Sequence, residues 1–459
     1  MKALKLRFLA VLASVLVSFG MMAQINLQPN IQNYRLPGFE GLNEFDNGMK
    51  QRNSDEFEGM AVRVGADFAL QFQSINHESG AQVGDVINYR GQNRYYNGLG
   101  SIGSSVNLPT ANLNIDAQLA KGVRVHLRTY LSSKHHNEAW VKGGYILVNS
   151  LDFIKEGFAE NFMNDFSVRI GQDNFNYGDA VSRRTDNAAA IYNPFVGNYI
   201  MDMNTVEPFA ELNYYPGDFI VVLGVSTGIL NPTVVVKDDQ KYPPSFHGKL
   251  GWDSQMNEDL RLRLTGSFYT TNSYNTGTHL YNGDRAGSRY YNVFDYNYIA
   301  QSDSSAGSQT NDFTTRFNPG IQNGMAFQIN PFVKFKGLEF FGIFEMNSGF
   351  SSMTIENGGG TKGSYTQLGA ELIYRFGSWE QFYVAGRYNR VNGNSNYAAG
   401  TTQPDEMVVD RFNVGAGWFM TKNTLVKLEY VTQNYNNQFS GELNEASMNG
   451  VVLEAVIGF

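Results

Sequence analysis

The stretch GVRVHLRTYL (Gly122 to Leu131) sets Arg124, His126 and Arg128 at every second position, with Val123, Val125, Leu127 and Thr129 between them. On an extended chain this spacing gathers the cationic groups in one row and the apolar ones in the other. A cationic row can raise the local concentration of anions. It can equally pair with carboxylates on neighbouring strands and stiffen a wall. Other chemistry-bearing residues are sparse. His135 and His136 with Glu138 have the types of a metal site, but adjacent strand residues face opposite ways, which favours a loop tip. His247 in SFHGKL has a serine nearby and no evident third partner for nucleophilic work. Asp238 and Asp239 read as a hydrated turn rather than a calcium site. The sequence holds no HExxH or P-loop pattern. No enzyme activity, cofactor or metal is therefore expected.

The elements that must position these residues begin with an export signal. MKALKLRFLAVLASVLVSFGMMAQ carries Lys2, Lys5 and Arg7 before an apolar run from Phe8 to Phe19, which predicts a signal peptide over 1–23. Met21 stands three positions before the cut, where a small residue is usual. The chain has no cysteine, so disulfides, thiolate metal sites and a lipidated N-terminal cysteine are excluded. Beyond Ala23 no run reaches the ~18 apolar residues of a spanning helix. A net charge of −8 argues against nucleic acid as a partner. Glycine (48), tyrosine (26) and phenylalanine (33) are abundant, yet mean hydropathy is below zero. An outer-membrane barrel has this profile, because only alternate residues face lipid and aromatic girdles mark both interfaces.

Alternation recurs to the C-terminus. In MAVRVGADFALQF, Val62, Val64, Ala66, Phe68, Leu70 and Phe72 oppose Arg63, Asp67 and Gln71; in LRLRLTGSF, Leu260, Leu262 and Leu264 oppose Arg261 and Arg263. Short links (AKG, PGD, FKG, GSW, TKNT) alternate with long polar ones near 73–108, 174–204, 229–243, 271–320, 348–363, 392–408 and 436–448. These features predict an all-β, antiparallel up-and-down transmembrane barrel of about 16 strands (14 to 18) over 59–459, with short periplasmic turns and long extracellular loops. Residues 24–58 read as an N-terminal periplasmic segment or plug, and Leu151 to Asp165 as a long periplasmic connection with a helical turn. GVVLEAVIGF ends the chain on an alternating row, so Phe459 is the expected assembly signal.

VRIGQDNFNYG (Val168 to Gly178), the hairpin FMTKNTLVKLEYV (Phe419 to Val431) and the aromatic C-terminus together resemble the phosphate-selective porin O/P family of Gram-negative outer membranes. The resemblance implies a 16-stranded barrel, often a homotrimer, that passes small solutes. SRRTDNAAAIYNPFVGNY (Ser182 to Tyr199) departs from that family's pattern and leaves the substrate open.

If one row touches lipid, the other lines the lumen, because an arginine facing lipid near the midplane costs about 2–4 kcal/mol. The lumen-lining set is then Arg63, Arg124, His126, Arg128, Arg169, Arg261, Arg263, Arg375, Arg387 and Lys427, with Asp67, Asp116, Glu371 and Glu429 among them. Leaning basic, this wall predicts an anion-biased porin for small hydrophilic solutes. The segment 174–204, with Arg183, Arg184 and Asp186, is the expected constriction loop. The aromatic clusters RYYNGL (Arg94 to Leu99) and RYYNVFDYNYI (Arg289 to Ile299) are expected in outer loops. The alternative is a plugged, non-conducting barrel, a structural partner of other envelope proteins. Lipid of the outer membrane surrounds it in both readings.

Overall fold

The computed structural model describes residues 29–459 apart from 47–56, 85, 90–91, 97, 100–101, 133–137, 229–242, 274–279, 282–288, 292, 295–297, 301–314 and 437–442. The segment 1–23, His135, His136, Asp238 and Asp239 lie outside the described residues. In chain order the strands begin with β1 (Ala61–Glu78), β2 (Val86–Tyr89), β3 (Gln92–Tyr96), β4 (Ser105–Ala120), β5 (Val123–Ser132), β6 (Glu138–Val148) and β7 (Phe166–Asn174). Then come β8 (Val206–Tyr214), β9 (Phe219–Ser226), β10 (Ser245–Gln255), β11 (Leu260–Thr271), β12 (Tyr298–Ala300) and β13 (Asn323–Phe335). The last are β14 (Leu338–Phe350), β15 (Gly363–Phe376), β16 (Phe382–Asn394), β17 (Met407–Thr421), β18 (Thr424–Asn436) and β19 (Ser447–Gly458).

Sixteen of these form one closed antiparallel barrel, each next to its neighbour in sequence, and β1 pairs with β19 to shut it. The strands β2, β3 and β12 make a separate three-stranded sheet from the long connections 79–104 and 272–322. Among the described residues no helix is long and apolar enough to cross a membrane; strands make the crossing.

Period-two patterning drives this closure. In β1, Val62, Val64, Phe68 and Phe72 are exposed on the outer face, while Arg63, Asp67, Gln71 and Gln73 are buried inside. Near the turn 377–381 the outer row becomes aromatic: Tyr374, Phe376, Phe382 and Trp418 stack in sequence with centroids 5.7–6.0 Å apart. Such a girdle marks the membrane boundary. Phe459 completes the seam, its N–H donating to the Ala66 carbonyl and its own carbonyl accepting from Ala66 N–H, both at 3.0 Å.

One irregularity re-aims a side chain. Between β5 and β6 the register runs Arg128↔Gly143, then Thr129↔Val141, so Lys142 is an extra residue. This β-bulge reverses parity and turns Lys142 inward, where it is 1% exposed.

Candidate functional site

Among the described residues, several stretches of chain outside the wall enter the barrel interior, and three of them make its main contacts. Residues 29–46 enter at the short-turn end. There Phe39 N–H donates to Lys422 O at 2.7 Å, and the Phe39 ring meets Trp379 and Phe419 edge-on. Gln32 Oε1 accepts from Gly122 N–H at 3.0 Å on another side of the mouth. Deeper in, Phe45 packs on Phe332 and Phe341, and Asp46 accepts from Arg263 at 2.8 Å and Lys249 at 3.1 Å.

The second stretch is the connection 175–205. Its residues from Phe175 to Thr205 are buried with few exceptions, and its polar groups reach the wall all round. Arg183 donates to Glu371 at 3.3 Å, Val196 N–H to Glu429 at 2.7 Å, Ile200 N–H to Asn389 at 2.6 Å and Met201 N–H to Gln367 at 2.9 Å. From the wall, Arg387 donates to Gly197 O at 2.7 Å, Arg411 to Asn198 O at 2.6 Å and Lys427 to Phe195 O at 3.0 Å. Wall glycines admit it: a Cβ on Gly369 would lie 2.6 Å from the Tyr199 ring.

The third stretch, Arg289 to Tyr291 with Val293 and Phe294, corrects the expectation of an outer aromatic cluster. Arg289 and Tyr290 are fully buried in the lumen. Arg289 ion-pairs with Glu454 at 2.5 Å, and the Tyr290 hydroxyl donates to Glu429. A Cβ on Gly197 would lie 2.4 Å from the Tyr290 ring, so the second and third stretches pack directly on each other.

The structure places the sequence-derived lumen residues as follows. Arg124 and His126 share Asp116, at 3.5 and 3.0 Å. Arg128 meets Asp186 at 2.7 Å, Arg169 meets Glu211 at 2.6 Å, and Arg261 meets Asp253 at 2.9 Å. Arg263 is held by Asp46, Asp179 and Asp253, Arg375 by Glu339, Arg387 by Glu371 and Lys427 by Glu454. Arg63 lies over the Tyr34 ring, 4.6 Å from its centroid. His247 stacks on Phe175 and meets Glu211 at 3.1 Å, a structural contact within the wall.

Asp186 is the hub. It accepts from Arg128, from Arg184 at 3.0 Å, from Lys142 at 3.1 Å and from the Tyr130 hydroxyl. Burial opposes its ionisation, but Lys142, Arg128 and Arg184 outweigh that and hold the carboxyl well below the usual carboxylate range. Arg184 also donates to Asp202 at 2.8 and 3.0 Å, a bidentate clamp across the base of the segment.

Sequence reasoning missed Lys142, Lys249, Arg289 and Arg411. The Gly143–Gly144 pair is a bulge signal that could have recovered Lys142. Arg289 could not be found by periodicity, since it lies on no wall strand. Of the interior, a polar chamber of about 140 Å³ remains between Tyr34–Arg35, the wall of β1 and β4–β7, and the segment 175–205. Arg124, His126, Arg128 and Arg184 line it, facing Asp67, Asp116, Asp173 and Asp186.

No protein-family model matches the chain, and no curated protein does. The outer membrane channel DcaP of Acinetobacter baumannii aligns with a TM-score of 0.50 at 11% identity, over 88% of this chain and 99% of that one. The anion-selective porin from Comamonas acidovorans gives 0.48 at 12% identity, over 87% and 100%. OmpT, an outer membrane protein of Vibrio cholerae, gives 0.48 at 9%, over 88% and 99%. At such identities the likeness concerns the fold: this chain is a 16-stranded transmembrane β-barrel of the Gram-negative outer membrane, with the architecture of outer-membrane porins and channels.

Proposed function

We propose that the protein is a porin that passes small hydrophilic solutes through the polar chamber beside β1 and β4–β7, with 175–205 as its constriction. One observation carries this reading. This chamber among the described residues is lined by charged groups of both signs, as a water-filled path requires. Most of the cations named above have a carboxylate partner, so their field is largely cancelled. The anion bias proposed here is accordingly weak, and the specific binding of phosphate implied by the family resemblance has little free charge to rest on. Residues 1–23 are read as the export signal, 24–58 as a plug for the periplasmic mouth and 59–459 as the pore domain. A homotrimer is the assembly that accompanies this reading.

A second reading, a closed barrel that serves as a fixed partner for other envelope proteins, is favoured by the three stretches that fill the lumen. Single-channel recording of the purified protein under a KCl gradient separates the two. Steady conductance with a small reversal potential on the chloride side supports the porin. A silent wild type beside a conducting variant lacking 188–203 supports a plugged barrel; silence in both, with stoichiometric partners in a pull-down, supports the scaffold.

A further inference from the structure

Seven connections join the barrel strands at the periplasmic end. Six hold two to five residues, and the one between β6 and β7 runs from 149 to 165. That connection displays Phe153, Ile154, Phe158 and Phe162 at 58, 62, 46 and 55% exposure. Four large apolar side chains in ten positions make a patch that water disfavours. The backbone that carries them is tied into successive turns: Ile154 N–H donates to Leu151 O, Phe158 N–H to Lys155 O, and Phe162 and Met163 N–H to Ala159 O. Gly157 N–H donates to Asp152, which Lys121 of the neighbouring turn pairs at 2.6 Å. Each of these bonds removes a donor that a water-poor setting would leave unsatisfied.

What covers the patch follows from what it continues. Phe162 stacks on Phe166 at 4.0 Å, and Phe166 on Tyr214 at 4.2 Å. Phe166 and Tyr214 are partners across β7 and β8, on the outer row with exposed Ile170 and Leu212. The aromatic edge of the lipid-facing surface thus runs onto the connection without a break. On the other side Met163 is buried, and Glu160 and Asn164 face a polar cavity shared with Gln32 and Ser150 at the mouth. We infer that 151–163 is an interfacial foot, seated in the periplasmic leaflet with its four apolar side chains among the upper acyl chains of phospholipid. Exposed Lys155 and Lys121 stand at the phosphate level. This goes beyond the reading of passage and does not depend on it.

The chain has no cysteine, so single spin labels report unambiguously. Labels at I154C and F158C in nanodiscs of phosphatidylethanolamine and phosphatidylglycerol would be compared with L428C on the lipid-facing row and E258C in a polar periplasmic turn. The expected result is more collision with dissolved oxygen than with a water-soluble nickel chelate at both sites, close to L428C. Nickel accessibility equal to that of E258C would place the patch in water and overturn the inference. Shielding from both reagents would mean protein, such as a second copy, covers the patch, and would overturn it equally. Agreement between the two sites guards against a local folding fault at either one.

Discussion

Asp186 gathers three cationic side chains from three places, β5, β6 and its own segment. Removing one partner from such a buried cluster is far costlier than the cluster is worth, since the remaining charges stay desolvated. Asp186→Ala is expected to cost about 3–5 kcal/mol, borne by the docked segment rather than by the barrel. Single-channel conductance should rise and reversal should move further toward chloride as Arg128, Lys142 and Arg184 each lose one carboxylate, although Arg184 keeps Asp202 and Lys142 keeps Asp173. An unchanged trace would refute the hub role. The pH dependence has a definite sign. Because the docked carboxyl ionises at lower pH than the undocked one, docking is fully supported above the undocked value and is lost only as pH falls through the docked one. Conductance should therefore stay flat from pH 7 to about 4, near the ordinary carboxylate value.

At the scale of elements, one tie of the N-terminal segment to the mouth is Phe39, which meets Trp379 and Phe419 edge-on and donates its N–H to Lys422. Phe39→Ala should loosen it by about 1–3 kcal/mol of lost burial, read as faster protease cleavage within 29–46 while the barrel still migrates as folded on a cold gel. The seam between β1 and β19 is a different kind of element. Phe459 makes two backbone bonds there and leaves its ring 51% exposed. Phe459→Ala keeps both bonds, so folding in detergent should be unaffected while the assembled amount in the outer membrane falls. Equal loss in both assays would mean that the ring acts through packing alone.

For the whole molecule, sixteen strands whose backbone ladders close into a ring resist unfolding in lipid. The lumen segments are held largely by side-chain contacts, with few backbone-to-backbone bonds such as Phe39 N–H to Lys422 O, a set that opens locally at lower cost. A barrel lacking 29–46 or 188–203 should accordingly keep its heat-modifiable migration and gain conductance. Loss of the folded band in both deletions would show that the filling supports the wall. Across the pore as built, the matched charges predict a reversal potential close to zero, and a strong chloride-side value would restore the basic wall inferred from the arginine rows.

The alternation of residues such as Val62, Arg63 and Val64 determined, without any tertiary information, that these strands have an outer and an inner row, and the short and long links determined the meander. Both follow from local geometry, since a strand's side chains alternate and lipid tolerates only one kind of face. Arg124, Arg128, Arg263 and Lys427 were legible as one row for the same reason. Their partners were not. Asp186 meets Arg128 across 58 positions of sequence, and Asp46 meets Arg263 across 217. Lys142 turned inward through a single extra residue, and Arg289 came from a stretch with no periodicity at all. Whether a cationic row attracts solute or is already neutralised depends on which carboxylates the folded chain carries into the lumen, and only the tertiary structure decides that.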